Sequence, residues 1–205
     1  MPVKYALVLA VGFLCLRGEV AAQMPILGAK EDVPANATPE HLEAFVAGIN
    51  PQFDPVSGPY AGIATIYRYW GTRYGVRWDF AFFQMILETG YLRFNGGVAA
   101  DDFNFAGVGA TVAGEPGERF ANLQYGVIAH IQHLALYALV EIPEAAFVSA
   151  YSRRTQPFIH NKVWDRLGRA ATFDDFGDGM WAMSSGYADK MAAIADRFHR
   201  SFPTP

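Results

Sequence analysis

The residue of this sequence whose surroundings best suit acid chemistry is Glu88. It follows directly on a strongly apolar segment, residues 78–87, and precedes Thr89-Gly90, where a glycine typically ends a helix. A carboxyl group in apolar surroundings is partly desolvated, which raises its pKa and keeps it protonated near neutral pH. The pattern therefore indicates a general acid, a group that delivers a proton to a leaving atom. The alternative is a solvent-exposed glutamate at a helix end, without a catalytic role.

The other reactive side chains do not indicate a metal or cofactor site. His130 and His133 lie three residues apart on a predicted helix, but the segment lacks the glutamate of a metalloprotease helix. A structural role against a neighbouring helix is therefore the preferred interpretation of the two histidines. The segment Gly107-Val108-Gly109 has Val112 where a nucleotide-binding loop would have its third glycine. We expect no metal and no cofactor.

The elements that would position these residues are mostly helices. Thr38-Pro39-Glu40 is typical of a helix start, because threonine caps the free amides and proline suits the first helical position. Apolar residues at helical spacing predict further helices before Gly71 and Gly75, from about Trp78 to Leu87, from Leu123 to Leu139, and from about Gly186 to Phe198. Residues 95–119, rich in Gly, Asn and Asp, predict a long loop of the kind that is often functional. Since no long alternating run indicates strands, the predicted fold class is mainly α.

Three segments of the chain resemble segments of a known family. They read Glu88-Thr89-Gly90-Tyr91-Leu92-Arg93-Phe94, Asn104-Phe105-Ala106-Gly107-Val108-Gly109-Ala110-Thr111, and Gly126-Val127-Ile128-Ala129-His130-Ile131-Gln132-His133-Leu134. In these strings, and more weakly from about Thr38 to Phe198, the chain resembles the bacterial glucosaminidases, the mannosyl-glycoprotein endo-beta-N-acetylglucosaminidase-like, peptidoglycan-hydrolysing enzymes of glycoside hydrolase family 73. The resemblance implies a lysozyme-like, two-lobed fold with a helical lobe and a small loop-rich lobe. It also implies cleavage beside N-acetylglucosamine in a glycan strand.

The resemblance further implies which residues form the site. It makes Glu88 the general acid, a group that cleavage of a glycosidic bond requires. It also implies a second acid about thirty positions later, where the spacing favours Glu118 over Asp101, Asp102 and Glu115. A solvated loop acid is an equally good interpretation of Glu118. Substrate contacts are expected from five residues of the cleft: Tyr91, Asn104, Phe105, Trp181 and Tyr187.

The last of these substrate contacts come from a string that departs from the family pattern. Relatives have Tyr-Ala-Thr-Asp-Pro-x-Tyr, whereas residues 181–187 begin with Trp181 and lack the Asp-Pro pair. Tyr187 holds the place of the second tyrosine or belongs to the core, and its position in an apolar stripe favours the core. Core packing is also the alternative for Tyr91 and Phe105, and a turn position is the alternative for Asn104.

The N-terminus of the 205-residue chain predicts export. Lys4 precedes an apolar run from Tyr5 to Leu16, and small residues lead to Ala22, a pattern typical of a signal peptide at residues 1–22. The mature chain would then consist of a leader segment at residues 23–37 and one domain at residues 38–200. Cys15 is the only cysteine and would leave with the signal. The predicted location is secreted, either periplasmic or extracellular, with no membrane contact after cleavage.

Charge and resemblance together define the expected partner. A net charge of −4 gives no basis for binding nucleic acid, which requires clustered Lys and Arg. The resemblance implies the glycan strand of peptidoglycan as the partner, and the oligomeric state stays open. The predicted function is that of an endo-β-N-acetylglucosaminidase. The alternatives are a lytic transglycosylase acting on the same substrate and a non-catalytic peptidoglycan-binding protein with a degenerate cleft.

Overall fold

The structure, a computed structural model, describes residues 23–94, 98–109, 117–138, 167–177, 179–182 and 185–204. Its α-helices are Pro39–Ala47 (α1), Ile63–Tyr74 (α2), Trp78–Thr89 (α3), Leu123–Ala138 (α4) and Tyr187–Ser201 (α5). Short 3-10 turns lie at Lys30–Asp32, Ala100–Asp102 and Phe173–Phe176. Among the described residues, extended pairing is limited to two isolated bridges, Pro25 with Thr172 and Leu27 with Val76. The mainly α fold expected of a lysozyme-like domain is confirmed.

The helices begin and end where local chemistry predicts. α1 starts after Thr38, whose Oγ1 accepts a hydrogen bond from the amide of His41 at 3.2 Å, with Pro39 in the first helical position. α3 ends at Gly90, which adopts the left-handed conformation with φ of 58°. α3 thus extends two residues beyond the predicted end at Leu87, and Glu88 belongs to the last turn of the helix.

Gly71 is a difference from the sequence-based expectation, since it lies inside a helix. α2 continues through Gly71 to Tyr74 and ends at Gly75, which is left-handed with φ of 66°. The physical reason is a close approach of the next helix. A Cβ atom at position 71 would lie 2.4 Å from Cβ of Trp78, so the missing side chain lets α3 begin directly beside α2.

α3 forms the centre of the helical part of the molecule. Nine of its twelve residues are buried, as expected for a helix that is apolar on nearly every side. It packs against α2 on one side and α5 on another, and α2 in turn packs against α4, with α1 against α2 and α5. Glu88 therefore extends from the most thoroughly enclosed helix of the fold, at the end where that helix reaches the surface.

Residues 23–37, expected to lead into the fold, pack against it as part of the core. Met24 and Ile26 are buried, and the Ile26 amide donates to the carbonyl of Ala171 at 3.0 Å. The Ile26 carbonyl accepts from the amide of Arg77 at 2.8 Å. The segment thus ties the start of α3 to a part of the chain more than ninety residues away, a contact that no local pattern indicates.

Several sequence-based expectations concern residues outside the described ranges. These are the signal peptide at residues 1–22, Glu115, and residues 110–111 of the second family string. Among the helices of the described residues, none has the length and apolar character needed to cross a bilayer.

Candidate functional site

Glu88 is a half-buried carboxyl group held by two hydrogen-bond donors. The hydroxyl of Tyr187 donates to Oε1 of Glu88 at 2.5 Å, and Nε1 of Trp181 donates to the same oxygen at 3.0 Å. Tyr187 is the first residue of α5, and Trp181 precedes that helix. The last turn of α3 and the start of α5 therefore meet at one oxygen of this carboxyl.

The environment of Glu88 acts on its pKa in two opposite directions. Burial raises the pKa because it disfavours the charged form, while the hydrogen bonds from Tyr187 and Trp181 stabilise the carboxylate and lower the pKa. Desolvation is the larger influence, so the pKa of Glu88 is raised above its usual value. A raised pKa increases the fraction of Glu88 that carries a proton near neutral pH, which a general acid requires.

The second oxygen of Glu88 faces Gly107 in the neighbouring loop. A Cβ atom at position 107 would lie 3.5 Å from Oε2, and it would meet no other non-neighbouring atom within 4 Å. Gly107 is left-handed with φ of 62°, which suits glycine. The glycine thus keeps open space beside Oε2. Two strings that are separate in the sequence, around Glu88 and around Asn104, come together at this point.

Asn104 organises the loop that carries Gly107. Its Nδ2 donates to the carbonyls of Val108, at 2.9 Å, and Glu118, at 3.0 Å, while Oδ1 accepts from the Val108 amide at 2.9 Å. The side chain is 1% exposed. Both of its amide protons are used within the protein, so Asn104 shapes the loop beside Glu88.

The two aromatic residues Phe105 and Tyr91 lie in apolar packing. Phe105 is buried, with its ring 5.9 Å from that of Tyr60. Tyr91 is half-buried, with its ring 6.1 Å from that of Phe45, and its carbonyl accepts from Nδ2 of Asn50 at 2.9 Å. The structure therefore brings Trp181 and Tyr187 to Glu88. Phe105 instead packs in the core beneath its loop, against Tyr60, and Tyr91 faces α1.

The backbone directly after Glu88 is left-handed over consecutive residues. Gly90, Tyr91 and Leu92 have φ values of 58°, 63° and 60°. This conformation costs non-glycine residues roughly 1–2 kcal/mol each. Thr89 holds the turn, since its Oγ1 accepts from the Leu92 amide and its carbonyl from the Phe94 amide, both at 2.9 Å. The turn is thus strained, and the strain lies next to the candidate acid.

The acids considered for a second catalytic role lie in different surroundings. Glu118 is 3% exposed, its amide donates to the Val108 carbonyl at 2.8 Å, and its Oε1 lies 3.5 Å from the position of a Cβ on Gly109. Glu118 and Glu88 therefore flank the same short stretch, at Gly109 and Gly107. Asp101 and Asp102 form ion pairs with Arg119.

A chain of buried polar side chains leads away from Glu88 into the core. Nε2 of Gln84 donates to the hydroxyl of Tyr187 at 2.8 Å, and Oε1 of Gln84 is 2.9 Å from Nε2 of His130. Nδ1 of His130 is 2.8 Å from the hydroxyl of Tyr67. The structural role predicted for His130 is thus a link from α4 to α2 and α3. Within the described ranges, no three His, Cys, Asp or Glu side chains are grouped as metal ligands.

Gln84 and Gly107 were not singled out individually by sequence reasoning. Gln84 is a polar residue in a mostly apolar helix, and its connection to the acid appears only through its contact with Tyr187, 103 positions away. Gly107 lies within a family string, and the signal that could have identified it is the need for a glycine where a loop approaches a carboxyl group.

A surface cavity of about 660 Å³ lies away from this site, beside the first residue of α3. Its lining includes Arg68, Tyr69, Arg73 and Trp78. No carboxyl group is among the described residues that line it. Glu88 lies at the opposite end of the same helix. Acid chemistry therefore points to the Glu88 end of α3 and not to this cavity.

Comparison with known proteins places the chain in a family. The family described as mannosyl-glycoprotein endo-beta-N-acetylglucosaminidase, the glucosaminidases, matches residues 64–200, a range that contains Glu88, Gly107 and Tyr187. The chain is also similar to an uncharacterized protein of Borreliella burgdorferi, with 40% identity over 155 residues that cover 76% of this chain and 70% of that protein. No solved structure matches the chain. Because the family matches well over half of the chain, this protein is a member of the glucosaminidase family of glycoside hydrolases.

Proposed function

We propose that the protein is an endo-β-N-acetylglucosaminidase that hydrolyses the glycan strands of peptidoglycan, with Glu88 as its general acid. The observation that carries the proposal is the asymmetry of the Glu88 carboxyl. Oε1 accepts from Tyr187 and Trp181, while Oε2 faces the space that Gly107 leaves open. Family membership and the raised pKa of Glu88 both support a proton donor at this position.

In this mechanism the proton of Glu88 is transferred from Oε2 to the glycosidic oxygen of the strand. The bond between that oxygen and the anomeric carbon breaks as the oxygen leaves with the proton. Water then attacks the anomeric carbon and gives its proton to Glu118, the candidate base. Alternatively the acetamido oxygen of the sugar attacks first, and water then opens the resulting ring and returns a proton to the Glu88 carboxylate. The stereochemical outcome depends on how far the two carboxyl groups stand apart when substrate is bound.

The site of action follows from the same proposal. An enzyme that cleaves the wall must leave the cytoplasm, and the signal peptide predicted at residues 1–22 provides the route. The mature protein would act in the periplasm or outside the cell.

The test is digestion of purified peptidoglycan by the mature protein and by Glu88→Gln, with fragments identified by mass spectrometry. Glutamine retains an oxygen that accepts from Tyr187 and Trp181, so the variant is expected to fold. Fragments with reducing N-acetylglucosamine ends from the wild type, and none from the variant, would support the proposal. Activity retained in folded Glu88→Gln would remove Glu88 from the mechanism. Sacculus binding without fragments from the wild type would indicate a non-catalytic binding protein.

One observation favours a second candidate, a lytic transglycosylase. Glu118, the acid expected to activate water, is only 3% exposed, and the exposed Asp101 of the same loop pairs with Arg119. A transglycosylase needs only one essential acid, because the sugar's own hydroxyl closes the ring. It would leave anhydro-muramyl ends, which differ in mass from hydrolysed ends by one water. Glu118→Gln provides a further comparison: unchanged turnover would support the single-acid reaction, and its loss would support hydrolysis assisted by Glu118.

A further inference from the structure

The buried side chains behind Tyr187 form hydrogen bonds with a defined direction. Oε1 of Gln84 can only accept, so the hydrogen at its contact with His130 must belong to Nε2 of the imidazole. Nδ1 of His130 then accepts from the hydroxyl of Tyr67. At the other end of Gln84, Nε2 donates to the hydroxyl of Tyr187. Every donor in the series therefore points toward Glu88.

The direction is maintained because the interior keeps His130 uncharged. Tyr67, Gln84 and His130 are each 0% exposed. Burial, reinforced by the nearby His133, lowers the pKa of His130 to about 3. A neutral imidazole has one donor and one acceptor, and both are used in this series. The imidazole of His130 is therefore expected to stay neutral near neutral pH, with this arrangement of donors and acceptors.

The consequence reaches the hydroxyl of Tyr187, which has a single proton. Because this hydroxyl accepts from Gln84, its own proton is directed to Oε1 of Glu88. Trp181 can only donate, so Oε1 receives two donors and has no place for a proton of its own. We propose that Gln84 and His130 are positioning residues that fix Tyr187 as a donor and thereby keep the acid proton of Glu88 on Oε2, the oxygen that faces Gly107.

The inference rests on the proposed role of Glu88 as the acid. It also explains how His130, which does not contact Glu88, affects the position of the acid proton. If the amide of Gln84 turned over, its oxygen would accept the proton of Tyr187, and Glu88 could then hold its proton on Oε1. The turned amide would place NH2 against Nε2 of His130, so the imidazole would have to carry its proton on Nδ1 instead. The buried hydroxyl of Tyr67 would then lose Nδ1 as the acceptor of its proton. His130 and Tyr67 together thus hold the amide in place.

Two pairs of variants separate this role from ordinary packing. His130→Met removes the side chain that holds the amide, whereas His130→Gln retains a donor for Gln84 and an acceptor for Tyr67. Gln84→Met removes the donor to Tyr187 directly. The matched control is Gln132→Met, because Gln132 is also buried on α4 and donates to the hydroxyl of Tyr74 on α2 at 2.7 Å, a residue outside the series that leads to Glu88.

The first measurement is a carbon-13 NMR titration of the Glu88 carboxyl, which needs no substrate. The titratable groups around it are Tyr187 on α5, His130 and His133 on α4, and Glu118 across the loop. In His130→Met and Gln84→Met, Glu88 can donate from Oε1 to Tyr187, which stabilises the protonated form. We therefore expect the pKa of Glu88 to rise in these two variants and to stay at the wild-type value in His130→Gln and Gln132→Met.

The second measurement is turnover of soluble, peptide-free glycan strands. With the proton partly on the wrong oxygen, kcat should fall between about ten-fold and a hundred-fold in His130→Met and Gln84→Met. KM should stay unchanged, and His130→Gln should restore kcat.

The two measurements distinguish failure of this inference from failure of the proposed function. An unmoved Glu88 titration in folded His130→Met and Gln84→Met, or an equal shift in Gln132→Met, would overturn the positioning role. If the Glu88 titration shifts in His130→Met and Gln84→Met but the wild-type protein cleaves no glycan, the positioning role is supported and the proposed activity is refuted.

Discussion

At the scale of the residue, one side chain can belong to the core and to the site at once. The apolar stripe of the last helix placed Tyr187 in the core, and it is indeed 3% exposed. Its hydroxyl nevertheless bonds Glu88, because the ring is buried while its polar end reaches the carboxyl. The local setting of Glu88 together with the family strings predicted it as the acid, but the sequence could not assign Tyr187, whose contact with Glu88 spans 99 positions.

The two donors to Glu88 predict a matched pair of variants, Tyr187→Phe and Trp181→Phe. Each removes one hydrogen bond that stabilises the carboxylate, so the pKa of Glu88 should rise further. A general acid acts when protonated, and the alkaline limb of the pH profile of kcat/KM should therefore move to higher pH. We expect kcat to fall roughly ten- to a hundred-fold, because the carboxyl is less well oriented.

Tyr69→Phe is the control for this pair, since Tyr69 is 59% exposed on α2 and the substitution also removes one phenolic hydroxyl. Its profile should superimpose on that of the wild type. An alkaline limb that moves to lower pH in Tyr187→Phe would contradict the assigned direction of the hydrogen bond.

At the scale of the element, the helices were predictable and the meeting of helix and loop was not. The spacing of apolar residues is a local signal, and it placed α1, α3, α4 and α5 within a few residues. The loop beside Glu88 depends instead on how closely the backbone at Phe103 approaches α4. A Cβ at Gly126 would lie 1.9 Å from the carbonyl oxygen of Phe103 and 2.9 Å from the ring of Phe105.

Gly126→Ala should therefore displace the loop that carries Asn104 and Gly107. Overpacking of this kind destabilises a protein by about 1–3 kcal/mol, and the displaced Gly107 should also lower turnover. Thermal unfolding and glycan release measure the two effects.

Gly177→Ala is the matched control, because a Cβ there meets nothing within 4 Å and the residue has an ordinary φ of −75°. Its stability should change by less than about 0.5 kcal/mol. A fully stable and active Gly126→Ala protein would show that the loop does not depend on this close approach.

At the scale of the whole molecule, the half-buried acid links stability to pH. The folded-state pKa of Glu88 is raised above the usual value of 4.5, which applies to the unfolded chain. The favourable contribution of the protonated carboxyl is thus fully present below that value and is lost as the pH rises through the folded-state pKa. Glu88→Gln cannot titrate at this position, whereas all other groups are shared with the wild type.

The Tm of Glu88→Gln minus the Tm of the wild type should therefore increase with pH from about 4.5 upward and level off above the folded-state pKa. Calorimetry of both proteins across this range provides the test. A difference that decreases with pH would mean that the hydrogen bonds from Tyr187 and Trp181 outweigh desolvation, and that the pKa is lowered.

The left-handed turn at residues 90–92 suggests how this protein would respond to selection for heat resistance. Two non-glycine residues there, Tyr91 and Leu92, hold a backbone conformation that glycine would adopt without strain. Selection for heat resistance would favour amino-acid substitutions that relax the turn. Such substitutions would leave the end of the helix that carries Glu88 less well defined. Greater heat resistance from substitutions at these two positions is thus expected to come with slower catalysis, because the strained turn would serve activity at a cost in stability.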